Sequence, residues 1–166
     1  KKAIDLYPGQ INAYLEINEI LDGFKIYEGS IFVLKECLNN INNLNDYLKG
    51  YVEYYLANAY RKLESFRPSK HYFLKALESL LAIKDNYLEH SEFFTFLGGV
   101  NLFLGNHEDA DKSFKKAVSL NNEDIKIYMD IYNIYNEIGA SDKAKEILEL
   151  CPDKTSEMVD LLAEVN

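Results

Sequence analysis

The sequence predicts an all-α fold, an α-solenoid of stacked antiparallel helix pairs. Three observations carry this expectation. Apolar residues recur at helical spacing through most of the 166-residue chain. Turn signals such as Gly105-Asn106 break the pattern at intervals. Small residues return at fixed places in successive segments, which is the mark of an internal repeat. With 48% hydrophobic and 27% charged residues, the chain has enough apolar side chain to bury a core.

The elements follow in order. The opening KKAIDLYPGQ reads as the end of a helix: Ala3 and Ile4 suit a buried face, while Pro8 and Gly9 stop it. Residues 1–10 are therefore expected to be the tail of a preceding repeat, so that the chain starts inside a longer array. Residues 11–49 form one repeat, 50–90 a longer one, 91–124 the clearest one, and 125–154 one with a short second helix. Repeat starts near Ile11, Gly50, Ser91 and Ile125 differ by 39, 41 and 34 residues. The surplus of about seven residues in the second repeat equals two helical turns. It predicts a long second helix from Pro68, a favoured first position, to around Asn86. Pro152 cuts the helix that follows Asp142 short. Met158, Leu161, Leu162 and Val165 mark an amphipathic helix in 155–166 that caps the stack or opens another repeat.

In the clearest segment, Phe94, Leu97, Gly98 and Asn101 share one face of a first helix. Asp109, Ala110, Phe114, Ala117 and Val118 share one face of the second, with acidic residues in its first turn as the macrodipole favours. The slot of Ala117 recurs as Ala3, Cys37, Ala76 and Cys151, and that of Ala110 as Ser30, Ser69 and Ala144. The large slot between them is Leu34, Phe73, Phe114 and Leu148. On first helices, Ile17, Leu56, Leu97 and Ile131 are equivalent.

These residues make the chain resemble the tetratricopeptide repeat family, whose pattern runs W-x2-L-G-x2-Y, A-x3-F and P. FTFLG (94–98) matches its first half and ADKSF (110–114) its second. The stretches YLANAYRKL and YMDIYNIYNEIGASDKAKEIL match well, and YLEINEILDGFKIYEGSIFVL more weakly. The chain departs from the pattern in having no Trp; that slot holds Tyr14, Glu53, Phe94 and Tyr128. The resemblance implies a right-handed superhelix whose first helices line a concave side that takes partner peptides.

Composition and motifs narrow the function. Lys+Arg 18 against Asp+Glu 27 gives a net charge of −9, which argues against nucleic-acid and membrane-surface partners. No apolar run is long enough to span a bilayer, so membrane insertion is not expected. A cytoplasmic location is the expectation. No phosphate-cradling loop, zinc-type Cys/His spacing or nucleophile motif is present, so no catalytic residue, metal ligand or cofactor is assigned and no enzyme activity is expected. His107 with Glu108, Asp109 and Asp111 reads as a turn entering an acidic helix N-terminus. Cys37 and Cys151 read as small packing residues, too far apart in a stacked array to bridge.

The expected function is a non-catalytic protein-interaction module that holds a partner peptide or helix in the concave groove. Helical spacing places Leu15, Glu19, Tyr51, Tyr54, Asn58, Arg61, Thr95, Gly99, Leu102, Met129, Asn133 and Asn136 on first-helix faces turned away from the partner helix. Tyr51 and Tyr54 offer amphipathic contact area, the Asn side chains can pair with a peptide backbone unit, and Arg61 suits a carboxylate. Within the resembling family, the carboxylate clamp needs lysines where Tyr54 and Met129 stand. A partner with neutral or apolar anchors is therefore expected instead of an acidic chaperone tail. The alternatives are a spacer or self-associating domain that forms a homo-oligomer through its terminal helices, or a regulatory array of a larger enzyme or peptide-sensing receptor.

Overall fold

Residues 11–40 and 44–164 are described by a computed structural model, in which every regular element is helical among the described residues. The nine helices of these residues are α1 Ile11–Gly23, α2 Tyr27–Asn40, α3 Asp46–Lys62, α4 Phe66–Ile83, α5 Ser91–Phe103, α6 His107–Leu120, α7 Ile125–Glu137, α8 Ser141–Glu149 and α9 Ser156–Glu164. One turn of 3-10 helix, Lys84–Asn86, follows α4. Ala3, Ile4, Pro8, Gly9 and Val165 lie outside the described residues. The chain divides into two compact units that part between Asn86 and Tyr87. In the first, α1 packs on α2, α2 on α3 and α3 on α4; in the second, α5 packs on α6 and α7, and α7 on α8.

The fold class is the one expected, an all-α helical repeat, and the helix ends show how the chain enforces it. Each hairpin turns through one residue in the left-handed region: Lys25 (φ 58°), Glu64 (φ 56°), Gly105 (φ 84°) and Gly139 (φ 74°). At all four the same two backbone bonds close the helix, as in Asn106 N–H to Asn101 C=O (2.9 Å) and Gly105 N–H to Leu102 C=O (3.0 Å). Ser65 to Tyr60 and Glu64 to Arg61 repeat them, satisfying the last carbonyls of α3. A side chain in this conformation is strained by about 1–2 kcal/mol, which glycine avoids at some cost in unfolded-state entropy. Glu64→Gly is therefore expected to stabilise the protein by about 0.5–1 kcal/mol. A lower midpoint in urea unfolding would count against the strain.

The extra length of the second repeat is distributed differently from expectation. α4 starts at Phe66, so Pro68 is its third residue, and the α-helix stops at Ile83 before the 3-10 turn carries the chain to Asn86. α3 also begins at Asp46 rather than near Gly50, because the Asn45 side chain accepts the Leu48 N–H at 2.8 Å and starts the helix one turn early. The buried register is unaffected. Ser30, Ser69, Ala110 and Ala144 are buried, as are Cys37, Ala76, Ala117 and Cys151, and so are Leu34, Phe73, Phe114 and Leu148.

Glu53, which stands in the family's Trp slot, is only 2% exposed. The Ser79 hydroxyl of α4 donates to its Oε2 at 3.1 Å. Burial raises the carboxyl above its usual range, against the Ser79 bond and the fields of Lys49 and Lys75, while Glu78 adds to the rise. An acid whose folded-state pKa is raised binds its proton more tightly in the folded chain. Its stabilising contribution is complete below the unfolded value and fades as pH rises through the folded one. Glu53→Gln is accordingly expected to raise the melting temperature at pH 7 and to have little effect near pH 4. An equal shift at both pH values would contradict the burial effect.

Candidate partner-binding faces

In the first unit, the least covered face of α3 carries a tyrosine ladder. Tyr47, Tyr51 and Tyr55 stand one turn apart; the Tyr51 and Tyr55 rings meet at 4.8 Å and 63°, and their hydroxyls lie 3.2 Å apart. Tyr51 and Arg61 are half-buried, as is Leu15 on α1, while Glu19 is exposed. Arg61 Nε donates to Asn58 Oδ1 at 3.3 Å. At the far end of the helix, Lys62 Nζ lies 2.8 Å from Asp22 Oδ2, joining the last turns of α3 and α1.

In the second unit the corresponding open face is on α7. Asn133 and Asn136 are exposed and Met129 is half-buried. Lys126, one turn before Asp130, lies 3.3 Å from Asp130 Oδ2 and 3.4 Å from Glu92 Oε1 of α5. Burial raises the Asp130 carboxyl, against the charge and hydrogen bond of Lys126. An open cleft of about 400 Å³ is lined by Leu102, Tyr135, Ile138, His107 and the start of α8. Beside it, Asp111 of α6 accepts from Tyr135 Oη (2.8 Å) and from Lys143 Nζ (2.7 Å). Burial raises the Asp111 carboxyl, but these two donors and the lysine charges outweigh it and hold the carboxyl low.

Tyr54, Asn58, Thr95, Gly99 and Leu102 do not face outward as expected. All are buried. Helical spacing marks one covered face per first helix, but α3 is packed by both α2 and α4, and α5 by both α6 and α7. Tyr54 therefore sets its edge against Phe73 at 6.0 Å, and Thr95 Oγ1 donates back to Ser91 C=O at 3.2 Å. Of the expected contact residues, Leu15, Glu19, Tyr51, Arg61, Met129, Asn133 and Asn136 retain accessible side-chain surface. The sequence reading missed Tyr55, Lys126 and Asp130; the i, i+4 spacing of Tyr51 with Tyr55 and of Lys126 with Asp130 was the available signal.

Among the described residues, no group of three or more His, Cys, Asp or Glu is arranged to hold a metal ion. No described helix is long and apolar enough to cross a membrane. Cys37 and Cys151 are free and buried, and burial pushes the Cys37 thiol up to about 11, far from the thiolate a nucleophile needs.

Residues 91–124 match the tetratricopeptide repeat family, the stretch that forms α5, α6 and the turn into α7. This stretch is a tetratricopeptide repeat, and the all-α helical-repeat fold of the rest is in keeping with it. Among solved structures the chain is similar to YrrB, described as a TPR protein with an unusual peptide-binding site: 19% identity, 99% of this chain and 79% of that one covered, TM-score 0.50. Two structures of MamA are also similar, at 18% identity and TM-scores of 0.48 and 0.45; they cover 98% and 97% of this chain, and 86% and 79% of their own. No curated protein sequence matches the chain. Tetratricopeptide repeats are protein–protein interaction scaffolds, and that is the functional class this fold supports.

Proposed function

We propose that the protein is a non-catalytic interaction module that holds an extended or helical segment of a partner protein against its first helices. The observation that carries this reading is the α7 face, where half-buried Met129 is followed one and two turns on by exposed Asn133 and Asn136. Two amides that donate and accept together can pair with peptide backbone units, and the thioether offers an adaptable apolar contact. Tyr51 and Arg61, with Leu15 and Glu19 on α1, form the contact face of the first unit in the same reading. The peptide-binding site named for YrrB supports a peptide ligand by likeness of fold.

The test is affinity capture from the source lysate with quantitative mass spectrometry. Wild type is compared with Asn133→Ala/Asn136→Ala and with Tyr51→Ala/Arg61→Ala, each shown to be folded by circular dichroism. A protein enriched by wild type and reduced at least tenfold by either variant supports the first-helix reading. Equal capture by all three chains overturns it. A mass in light scattering that rises with concentration, with no captured partner, would replace it with self-association.

A further inference from the structure

The longest described helix, α4, leaves an apolar stripe uncovered beside its buried face. Phe66, Leu74, Leu77 and Leu81 follow one another at spacings of eight, three and four residues, so they form a single ridge about 22 Å long. Phe66 is 69% exposed, Leu74 49% and Leu81 52%, and Leu77 is half-buried. The buried side chains of the helix, Ser69, Phe73, Ala76, Ser79 and Leu80, lie to one side of this ridge, with Phe73 and Leu80 adjoining it. Packing within the unit leaves these side chains exposed, and a contiguous exposed ridge of this kind marks an interaction site.

Charge selects the occupant. Lys70 falls within the ridge and Arg67 on its edge, and among the described residues neither has an ion-pair, hydrogen-bond or ring partner. Residues 66–84 carry Arg67, Lys70, Lys75 and Lys84 against a single anion, Glu78, in a chain whose acidic residues outnumber its basic ones by 27 to 18. The ridge is thus a local basic surface on an acidic protein. A second copy docking ridge to ridge would set one basic surface against another, because a two-fold contact pairs a surface with itself. An anionic bilayer would attract the ridge but repel the acidic remainder of the surface.

We propose that the exposed ridge of α4 docks an acidic amphipathic helix of a partner protein. The partner's leucine-type face would cover Phe66, Leu74, Leu77 and Leu81, while its Asp and Glu residues pair with Arg67 and Lys70. This site lies on a second helix, and it stands independently of the first-helix face described above.

The experiment uses three labelled 18-residue helical peptides and the whole chain, read by fluorescence anisotropy. One peptide carries a leucine face with Asp and Glu on its flanks, the second the same face with Lys flanks, and the third the acidic composition in scrambled order. The acidic amphipathic peptide is expected to bind at least tenfold more tightly than the other two and to weaken at least fivefold when salt rises from about 50 to 500 mM. Two surface variants, Arg67→Glu/Lys70→Glu and Leu74→Ser/Leu81→Ser, are each expected to lose that binding at least tenfold while keeping the wild-type circular dichroism spectrum. Equal affinity for acidic and basic peptides, or unchanged binding by both variants, would overturn the proposal. So would concentration-dependent dimerisation abolished by Leu74→Ser/Leu81→Ser, or variant-sensitive binding to phosphatidylserine vesicles without binding to the acidic peptide.

Discussion

Replacing Phe114 with Ala is expected to destabilise the protein by about 3–5 kcal/mol, the range for truncating a buried aromatic side chain. Phe114 occupies the large slot of α6 between the buried Ala110 and Ala117, and it is 2% exposed. Its ring reaches the α5 backbone at Gly98 and meets the Tyr135 ring of α7 edge-on at 5.2 Å. One side chain therefore joins three helices, so its loss opens a cavity that no single helix can close by shifting. Urea unfolding followed by circular dichroism would measure the loss. A change below about 1 kcal/mol would contradict the packing described here.

Gly98→Ala acts on the same contact from the other side. A Cβ at this position would lie 2.5 Å from Phe114 Cδ1 and 3.0 Å from Cζ, well inside van der Waals contact. The ring is held by Tyr135 and by its burial, so the added methyl must push α5 away from α6, at an expected cost of about 3 kcal/mol. A smaller side chain opposite should relieve part of this. Gly98→Ala in a Phe114→Leu background is expected to cost at least about 1 kcal/mol less than in the wild-type background, which a double-mutant cycle would measure. Full additivity would show that the two positions do not touch.

Phe114 was legible in the sequence because a repeat prints its close approaches as recurring small residues around a recurring large one. Ser30, Ser69, Ala110 and Ala144 revealed where second helices press on first ones, and their burial follows that register. The turns were half legible. Gly105 and Gly139 announce a left-handed residue, whereas Lys25 and Glu64 adopt the same conformation with no glycine to signal it. The early start of α3 was missed because Asn45 as a cap lies outside the repeat pattern, and local capping overrode the spacing.

The candidate faces were less legible, for a different reason. A helical wheel divides one helix into a covered and an open side, but burial in a stack depends on every neighbouring helix. Tyr54 and Asn58 therefore looked open, although α2 and α4 both pack on α3. The ridge on α4 is not legible in the sequence, where its apolar residues read as helical core. Its leucines and cations become informative only once their exposure is known.

Hydrogen–deuterium exchange of the protein with and without its captured partner shows whether partners bind through the first helices. Slowed exchange is expected in segments covering Tyr51–Arg61 or Met129–Asn136, with α2 and α6 unchanged. Protection confined to second helices, with α3 and α7 exchanging as in the free protein, would contradict binding through the first helices.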